Sequence, residues 1–258
     1  MVRPVVPDPG PAESGVGVKL AVVIPVYQEP KRVRDMLHRL QADRYADKEL
    51  HVVIDGPSTP AIAEALRGFR KRIRVHGPKR RQGKAAALNR AVAAVDAEGL
   101  VFLDNDIRLP EDDGLLERIA RHLHSRDVVE LPKQAAGRGV PAGIVSLEYL
   151  GYAIACWLFA KVAGRCPGLN GAAFAVRREW FRRLGGFRRV VNEDSDFGAR
   201  AFAAGARYTF DPRCRVGNDA PETWRRWLRE HKRWTLNNLF WGREHMGEVV
   251  KQAVRDPR

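Results

Sequence analysis

The segment Gly99–Asp106 reads GLVFLDND, a short apolar run that ends in two carboxylates one residue apart. This pattern is typical of a buried strand that delivers acidic side chains to the open edge of an α/β sheet. Two carboxylates at such a position repel each other unless a cation lies between them. A spacing of two on a loop lets both reach one hard cation, which prefers oxygen ligands. The segment therefore predicts a divalent metal on Asp104 and Asp106, and a diphosphate on that metal; the alternative is a solvated turn or a helix cap.

Predicted strands and helices alternate through the first half of the chain. Apolar, β-branched runs indicate strands at 19–25, 49–54, 72–76 and 127–131, besides the strand that ends at Asp104. Helical spacing of apolar residues, or Ala-rich sequence, indicates helices from Pro30 and at 60–70, 82–95 and 111–124. This alternation favours an α/β fold with a mostly parallel sheet flanked by helices on both faces. The polar ends of three strands, at 27–29, 55–56 and 104–106, should then meet at one ligand-binding edge.

The second half of the chain breaks this alternation. Residues 132–143 are expected to form a Gly-rich loop and 146–163 an apolar helix. A strand at 171–176, a helix at 193–204, a strand at 208–211 and a helix at 224–241 complete the prediction. The domain division is a flexible tail at 1–18, a catalytic domain at 19–220 and a basic-aromatic helical region at 221–258.

Composition limits the partners. The chain has 258 residues and a formal net charge of +14, which predicts anionic partners such as nucleic acid, anionic lipid or phosphate-bearing substrates. Three cysteines with no CxxC spacing are expected to be reduced and packed, without a disulfide framework or a zinc site. We expect no signal peptide and no membrane span, because the longest apolar run, 152–160, is stopped by Lys161.

Two further groups of residues suggest chemistry. Lys84 begins a predicted helix, and a lysine at a helix N-terminus suits an anionic group, although an ordinary helix start explains it equally well. The segment Glu193–Asp196 places three carboxylates at a helix start, where capping accounts for only one. One of these carboxylates could serve as a general base toward a hydroxyl group.

The predicted helix at 224–241 combines tryptophans with arginines and lysines. A core-packed helix with a solvated basic face is the simplest interpretation. The same composition fits a helix that lies in a membrane interface, and the segment 146–163 could be a second such helix. A basic-aromatic helix can also bind RNA, but the chain contains nothing else typical of a nucleic-acid-binding module. We therefore expect an anionic membrane surface, and no nucleic acid, as a partner.

The order of these motifs resembles the family 2 glycosyltransferases of the GT-A fold, notably their membrane-associated synthase branch. The resemblance spans about residues 20–240 and rests on eight short motifs in the same order. They are VIPVYQE at 23–29, VIDG at 53–56, GKAAALN at 83–89, FLDND at 102–106, NGAAFAVR at 170–177, GGF at 185–187, ED at 193–194 and RW at 233–234.

The resemblance implies a role for each matching residue. Asp194 would be the catalytic base, and Asp104 and Asp106 would form the DxD pair that binds ribose, diphosphate and Mg²⁺ or Mn²⁺. The nucleotide-sugar would be held by these residues: Pro25, Tyr27, Glu29, Asp55, Lys84, Asp104 and Arg233. The acceptor would be held by these: Gly171, Glu193 and Trp234.

Three positions depart from the family pattern. Gln28 stands in place of the usual Asn, Ile54 replaces the first acid of an Asp-Asp pair, and Glu230 replaces the Gln of Gln-x-x-Arg-Trp. The last change argues against processive synthesis.

The sequence thus predicts an inverting glycosyltransferase that moves a sugar from a nucleotide-diphosphate sugar to a hydroxyl of a polysaccharide or lipid-linked acceptor. We expect it in the cytoplasm, peripheral on the inner face of the membrane. The alternatives are a polyprenyl-phosphate sugar transferase, a sugar-1-phosphate nucleotidyltransferase, and a non-catalytic nucleotide- or membrane-binding module.

Overall fold

The structure, a computed structural model, describes residues 17–78 and 80–255. Its strands are β1 (Leu20–Val26), β2 (Lys48–Ile54), β3 (Arg74–His76), β4 (Gly99–Leu103), β5 (Ile107–Arg108), β6 (Val128–Glu130), β7 (Lys133–Ala136), β8 (Ala173–Arg177), β9 (Tyr208–Phe210) and β10 (Val216–Asp219). Its helices are α1 (Val33–Ala42), α2 (Pro60–Ala65), α3 (Lys84–Ala93), α4 (Leu115–Ser125), α5 (Val140–Ala163), α6 (Arg178–Arg183), α7 (Glu193–Ala203) and α8 (Trp224–Arg255).

The main sheet has the strand order β3-β2-β1-β4-β8-β6-β9. Strands β3, β2, β1 and β4 are mutually parallel, whereas β8 runs antiparallel to both of its neighbours, β4 and β6. The carboxyl ends of β1, β2, β4 and β6 and the amino end of β8 therefore share one edge. This arrangement confirms the prediction of a mostly parallel α/β sheet.

The sheet is covered on both faces, as the alternation predicts. Along β1 the side chains of Leu20, Val22 and Ile24 join one core cluster, whereas Ala21 and Val23 join the other. Helices α1, α2 and α4 cover the first face, and α3, α6 and α7 cover the second. Alternate side chains point to opposite faces of a strand, so a strand buried on both faces must be apolar throughout.

Part of the second half differs from the prediction. The segment 132–143, expected to be a loop, contains β7 and the first turn of α5. Strand β7 pairs with β10 in a second sheet of order β5-β10-β7. Strand β7 lies at the edge of this sheet and pairs with one strand only, so it need not be apolar throughout. Its sequence, KQAA, therefore lacks the apolar run by which a buried strand is recognised.

The expectation that no stretch is long and apolar enough for a membrane span was wrong. Helix α5 is long and apolar enough to cross a membrane by length and composition, and 17% of its most apolar window is buried in the protein. The apolar run was underestimated because α5 begins at Val140 and contains only Glu148 and Lys161 as charged residues. Length and composition alone do not distinguish a spanning helix from an interfacial one.

Two predicted boundaries also shift. Residues 1–16 of the predicted tail lie outside the described residues, but Val18, assigned to that tail, packs in the core with 7% exposure. Helix α8 begins at Trp224 as predicted and continues beyond Trp241 to Arg255. Along its packed side, Trp241 contacts Ala199 and Ala203 of α7, so α8 is anchored against the helix that carries Asp194.

Candidate active site

A cleft of about 570 Å³ opens at the shared edge of the sheet. Its walls come from the ends of β1, β2 and β4 and from the start of α3. Most of the predicted nucleotide-sugar residues line it, namely Pro25, Tyr27, Glu29, Asp55, Lys84 and Asp104, together with Asp106. Strand ends that are distant in sequence meet here because parallel strands place their carboxyl ends on the same side.

Asp55 lines this cleft but its carboxylate is engaged by the backbone. Its Oδ1 accepts hydrogen bonds from the backbone N–H groups of Gln82, at 2.8 Å, and Gly83, at 3.1 Å. These bonds hold the turn that leads into α3, in which Gly83 adopts φ +90°. Asp55 therefore positions the start of α3, and its predicted contact with the nucleoside stays a prediction.

Arg81 is a cleft residue that the sequence analysis missed. Its guanidinium carbon lies 4.1 Å from the ring centroid of Tyr27, and its Nε lies 3.6 Å from Asp55 Oδ2. The only sequence signal was its place in a basic run just before a predicted helix. Arg81 and Tyr27 together form a flat cationic and aromatic wall of the kind on which a nucleobase stacks.

Lys84 joins the two sides of the site. Its Nζ lies 2.8 Å from Asp104 Oδ1 and 3.3 Å from Glu193 Oε1. Burial lowers the pKa of Lys84, but the charges of Asp104 and Glu193 outweigh that effect, and the pKa is raised above its ordinary value. The ammonium therefore stays protonated and links the end of β4 to the start of α7.

Asp194 lies beside this ion pair, at the start of α7. Burial raises its pKa, Lys84 opposes the rise, and the neighbouring charge of Glu193 adds to it. Its Oδ1 accepts a hydrogen bond from the Ser195 backbone N–H at 2.8 Å. A carboxylate with a raised pKa is a stronger base than an ordinary aspartate, which suits the abstraction of a hydroxyl proton.

Gly171 makes room for Asp194. A Cβ atom built on Gly171 would lie 1.7 Å from Asp194 Oδ2, so no larger residue fits while the carboxylate keeps this position. A small cavity next to the main cleft is lined by both residues and by Asp104, Lys84 and Glu193. The structure thus brings Gly171 and Glu193 to Asp194, and their predicted contact with an acceptor stays a prediction.

Glu130 is a second residue that the sequence analysis missed. It ends β6 with no exposed surface, and its carboxyl oxygens accept from the Asn170 backbone N–H at 3.1 and 3.2 Å. Burial raises its pKa well above the ordinary value. Glu130 thereby holds the residue before Gly171, and it was hidden because it lies inside the predicted strand 127–131 rather than in the polar turn after it.

Both carboxylates of the predicted metal pair form ion pairs with lysines. Asp104 contacts Lys84, and Asp106 Oδ2 lies 2.7 Å from Lys31 Nζ. Among the described residues no group of three or more His, Cys, Asp and Glu side chains could hold a metal ion. Mg²⁺-type ions are commonly bound by one or two carboxylates together with water and substrate phosphates. The oxygen donors of Asp104 and Asp106 in an open cleft fit that mode of binding.

Arg233 and Trp234 lie outside the group of residues that line the cleft. Arg233 is exposed on α8, whereas Trp234 is half-buried, with its ring centroid 5.2 Å from that of His231. His231 in turn stacks on Trp227 and lies 2.8 Å from Glu148 of α5. The predicted contacts of Arg233 with diphosphate and of Trp234 with the acceptor stay predictions.

The fold, a mostly parallel sheet flanked by helices on both faces, matches the GT-A class of α/β proteins. The family model for glycosyl transferase family 2 matches residues 21–185, more than half of the chain, and the chain belongs to that family.

Curated relatives extend the match. The probable glycosyltransferase YdaM of Bacillus subtilis is 24% identical over 239 residues, covering 86% of this chain and 56% of that protein. The pre-mycofactocin glycosyltransferase of Mycobacterium tuberculosis is 28% identical over 260 residues, covering 97% of this chain and 50% of that protein. The chain thus spans about half the length of these relatives.

Solved structures show the same fold at low identity. The mannosyltransferase PcManGT from Pyrobaculum calidifontis, in complex with GDP-Man and Mn²⁺, superposes with a TM-score of 0.71 at 22% identity. The match covers 93% of this chain and 65% of that one. S. aureus TarS 1-349 in complex with UDP-GlcNAc gives a TM-score of 0.62 at 18% identity, covering 80% of this chain and 59% of that one.

The buried carboxyl of Glu130 makes a testable contribution to stability. Its pKa in the folded protein exceeds the ordinary 4.5, so the folded state holds this proton more tightly than the unfolded chain does. The stability that this proton contributes is fully present below the unfolded pKa and is lost as the pH rises through the folded pKa. Glu130→Gln carries no such proton and does not lose this contribution. As the pH rises above 4.5, the free energy of unfolding of the variant should therefore increase relative to that of the wild type.

Urea denaturation at a series of pH values measures this difference. Glu179→Gln, at an exposed glutamate of α6, is the matched control for the loss of one carboxyl group. A pH-independent difference between Glu130→Gln and wild type would contradict the assignment.

Proposed function

We propose that the protein is an inverting glycosyltransferase that moves a sugar from a nucleotide-diphosphate sugar to a hydroxyl acceptor. The observation that carries this proposal is the Lys84 bridge. The Lys84 Nζ contacts Asp104, at the end of a central strand, and Glu193, the residue before Asp194. A donor-side carboxylate and a candidate base are thereby held at a single sheet edge, as a direct displacement requires.

In this mechanism the acceptor hydroxyl oxygen attacks the anomeric carbon from the side opposite the diphosphate. The bond between that carbon and the diphosphate oxygen breaks, and Asp194 takes the hydroxyl proton. The nucleoside diphosphate leaves with the electron pair, and one displacement inverts the configuration. Arg81 and Tyr27 flank the nucleoside, and Lys84 and Lys31 supply positive charge near the leaving phosphates.

Mg²⁺ or Mn²⁺, when bound by Asp104 and Asp106, would neutralise charge on the leaving diphosphate. The oxygen donors of these two residues support this assignment, and so does the Mn²⁺ in the PcManGT complex. Because the similar solved structures are complexes with GDP-Man and UDP-GlcNAc, both GDP-sugars and UDP-sugars are reasonable donors to test.

A lipid phosphate is a second candidate acceptor. Lys133, at the start of β7, holds its Nζ 4.7 Å from the ring centroid of Tyr149 and lies in electrostatic range of Glu130 and Asp194. A cation that interacts electrostatically with the candidate base favours an acceptor that carries negative charge. A phosphate oxygen is already ionised and needs no general base, so the Asp194 variant described next distinguishes the two acceptors.

Asp194→Asn should reduce sugar transfer about 10²–10⁴-fold, because an amide cannot accept the hydroxyl proton. Binding of the donor nucleotide should change little, since Asp194 lies on the acceptor side. Turnover of UDP- and GDP-sugars with Mn²⁺ gives the rate, and titration calorimetry with UDP and GDP gives the affinity. Asp96→Asn, at an aspartate 93% exposed and remote from the cleft, is the control. Full activity in Asp194→Asn would assign the base elsewhere or favour the phosphate acceptor.

Removal of divalent metal should abolish transfer, and Mn²⁺ or Mg²⁺ should restore it. Asp106→Asn should reproduce the loss, because one of the two oxygen ligands is then neutral. The assay compares turnover in EDTA, in EDTA with excess Mn²⁺, and in the variant. Asp113→Asn, at an exposed aspartate outside the cleft, should behave as wild type. Unchanged turnover in EDTA would contradict the metal assignment.

We also propose that the enzyme acts at the inner face of the cytoplasmic membrane. Helix α8 exposes Leu228, Leu239 and Phe240 between arginines and lysines, which is the composition of an interfacial helix. Helix α5 adds an exposed apolar stripe at helical spacing, made of Leu147, Leu150, Ile154, Leu158 and Val162. A hydroxyl or phosphate acceptor carried on a lipid would then be presented close to the cleft.

Replacement of Leu239 and Phe240 by Glu should weaken binding to anionic vesicles at least tenfold, because apolar burial is lost and like charge is added. Co-sedimentation with vesicles that contain phosphatidylglycerol measures this, and neutral vesicles should bind the wild type less. Val75→Glu alters an exposed valine on β3, at the edge of the sheet, and is the matched control. Wild-type protein that stays in the supernatant with anionic vesicles would contradict the proposed membrane association.

A further inference from the structure

The loop between β1 and α1 has an unusual backbone. Gln28 adopts φ +60°, and the Glu29 backbone N–H donates to the Tyr27 carbonyl at 2.7 Å, which closes a tight γ-turn. Three residues later Lys31 adopts φ +26°, again in the left-handed region that side chains other than glycine rarely occupy. Such strain persists only where surrounding contacts enforce it, and it often marks a functional site.

Those contacts come from the loop that carries the two metal-type carboxylates. The Arg32 backbone N–H donates to the Asn105 carbonyl at 2.9 Å, and Asn105 Nδ2 donates to the Glu29 carbonyl at 2.8 Å. Asn105 stands between Asp104 and Asp106, so both strand ends are bound into one unit. The strained loop therefore holds Lys31 at a fixed place opposite Asp106.

Lys31 uses that place to neutralise Asp106. Its Nζ lies 2.7 Å from Asp106 Oδ2, and both side chains line the cleft while remaining about half exposed. The nearby cations have other partners: Arg32 lies 2.7 Å from Asp219, and Lys84 contacts Asp104 and Glu193. An exposed ion pair is weak, so Lys31 can exchange its carboxylate for another anion at little cost.

We propose that Lys31 is a built-in counter-ion of Asp106 that a divalent metal displaces, and that its released ammonium binds the donor diphosphate. The diphosphate half of this inference rests on the proposed function. Metal and nucleotide then bind cooperatively, because the metal alone must compete with Lys31 whereas the metal with a diphosphate gives Lys31 a new partner. Before the donor arrives, Lys31 limits occupancy of Asp106 by free metal.

The proposal predicts effects of opposite sign for one substitution. Lys31→Ala should bind Mn²⁺ alone about 3–10-fold more tightly than wild type, because its competitor is gone. The same variant should bind GDP or UDP in the presence of Mn²⁺ about tenfold more weakly, because a charge-assisted contact to phosphate is lost. Titration calorimetry with Mn²⁺ alone, and with each nucleotide at saturating Mn²⁺, measures both quantities without turnover.

Controls separate exchange from a general change of charge. Arg81→Ala removes the same charge from the same cleft, but Arg81 is paired with Asp55, so Mn²⁺ affinity should change less than twofold. Lys31→Arg should restore both affinities toward wild type. In an Asp106→Asn background, Lys31→Ala should no longer tighten Mn²⁺ binding.

Mn²⁺ affinity that is unchanged or weaker in Lys31→Ala would overturn the proposal, as would equal tightening in Arg81→Ala or an absence of Mn²⁺ binding in both wild type and Lys31→Ala. Nucleotide affinity that is unchanged by Lys31→Ala would overturn the second half. A wild type that binds neither GDP nor UDP would instead contradict the proposed function, and the titration with Mn²⁺ alone would still decide the exchange between Lys31 and metal.

Discussion

The repulsion among carboxylates at one sheet edge is the constraint that organises this structure. Asp104, Glu193 and Asp194 converge from β4 and α7, and without a cation their mutual repulsion would separate these elements. Lys84 supplies the charge, 2.8 Å from Asp104 and 3.3 Å from Glu193. Its own raised pKa expresses the same balance, because the carboxylates stabilise its proton more than burial destabilises it. One lysine at a helix start thus joins the end of β4 to the start of α7.

Apolar packing supports this polar edge from behind. Five phenylalanine rings from β4, β8, α6, α7 and the loop before α7 pack with neighbouring centroids 5.1–6.2 Å apart: Phe102, Phe174, Phe181, Phe187 and Phe197. Asn89 of α3 adds a polar clamp, donating from Nδ2 to the Phe187 carbonyl at 2.7 Å and accepting from the Phe187 N–H at 2.9 Å. The helix that carries Lys84 and the segment that leads to Asp194 are therefore joined at two places, by Asn89 with Phe187 and by Lys84 with Glu193.

Much of this could be predicted from the sequence, where local pattern and global fold agree. Buried strands such as β1 and β4 are apolar throughout, so their position and the meeting of their polar ends were predictable. The small sheet with β7 and the start of α5 were not, because β7 is short, polar and paired only across a long sequence separation. Arg81, Glu130 and Lys31 were missed for a related reason. Each acts through a contact with a residue distant in the chain or through its backbone conformation, and neither can be recognised from the local sequence.

The antiparallel strand β8 gives the fold a property of its own. Strands β6 and β8 are neighbours, and the Leu131 N–H donates to the Ala173 carbonyl at 3.3 Å, so the segment 132–172 leaves the sheet and returns to the point of departure. It is a long insertion between two neighbouring strands, and it contains β7, α5 and Gly171. The entropic cost of bringing the two ends of such a segment together grows only slowly with its length, about 0.6 kcal/mol per doubling for a flexible chain. Changes of length within this segment therefore cost little closure entropy and leave the register of the main sheet intact, provided that β7 keeps its pairing with β10.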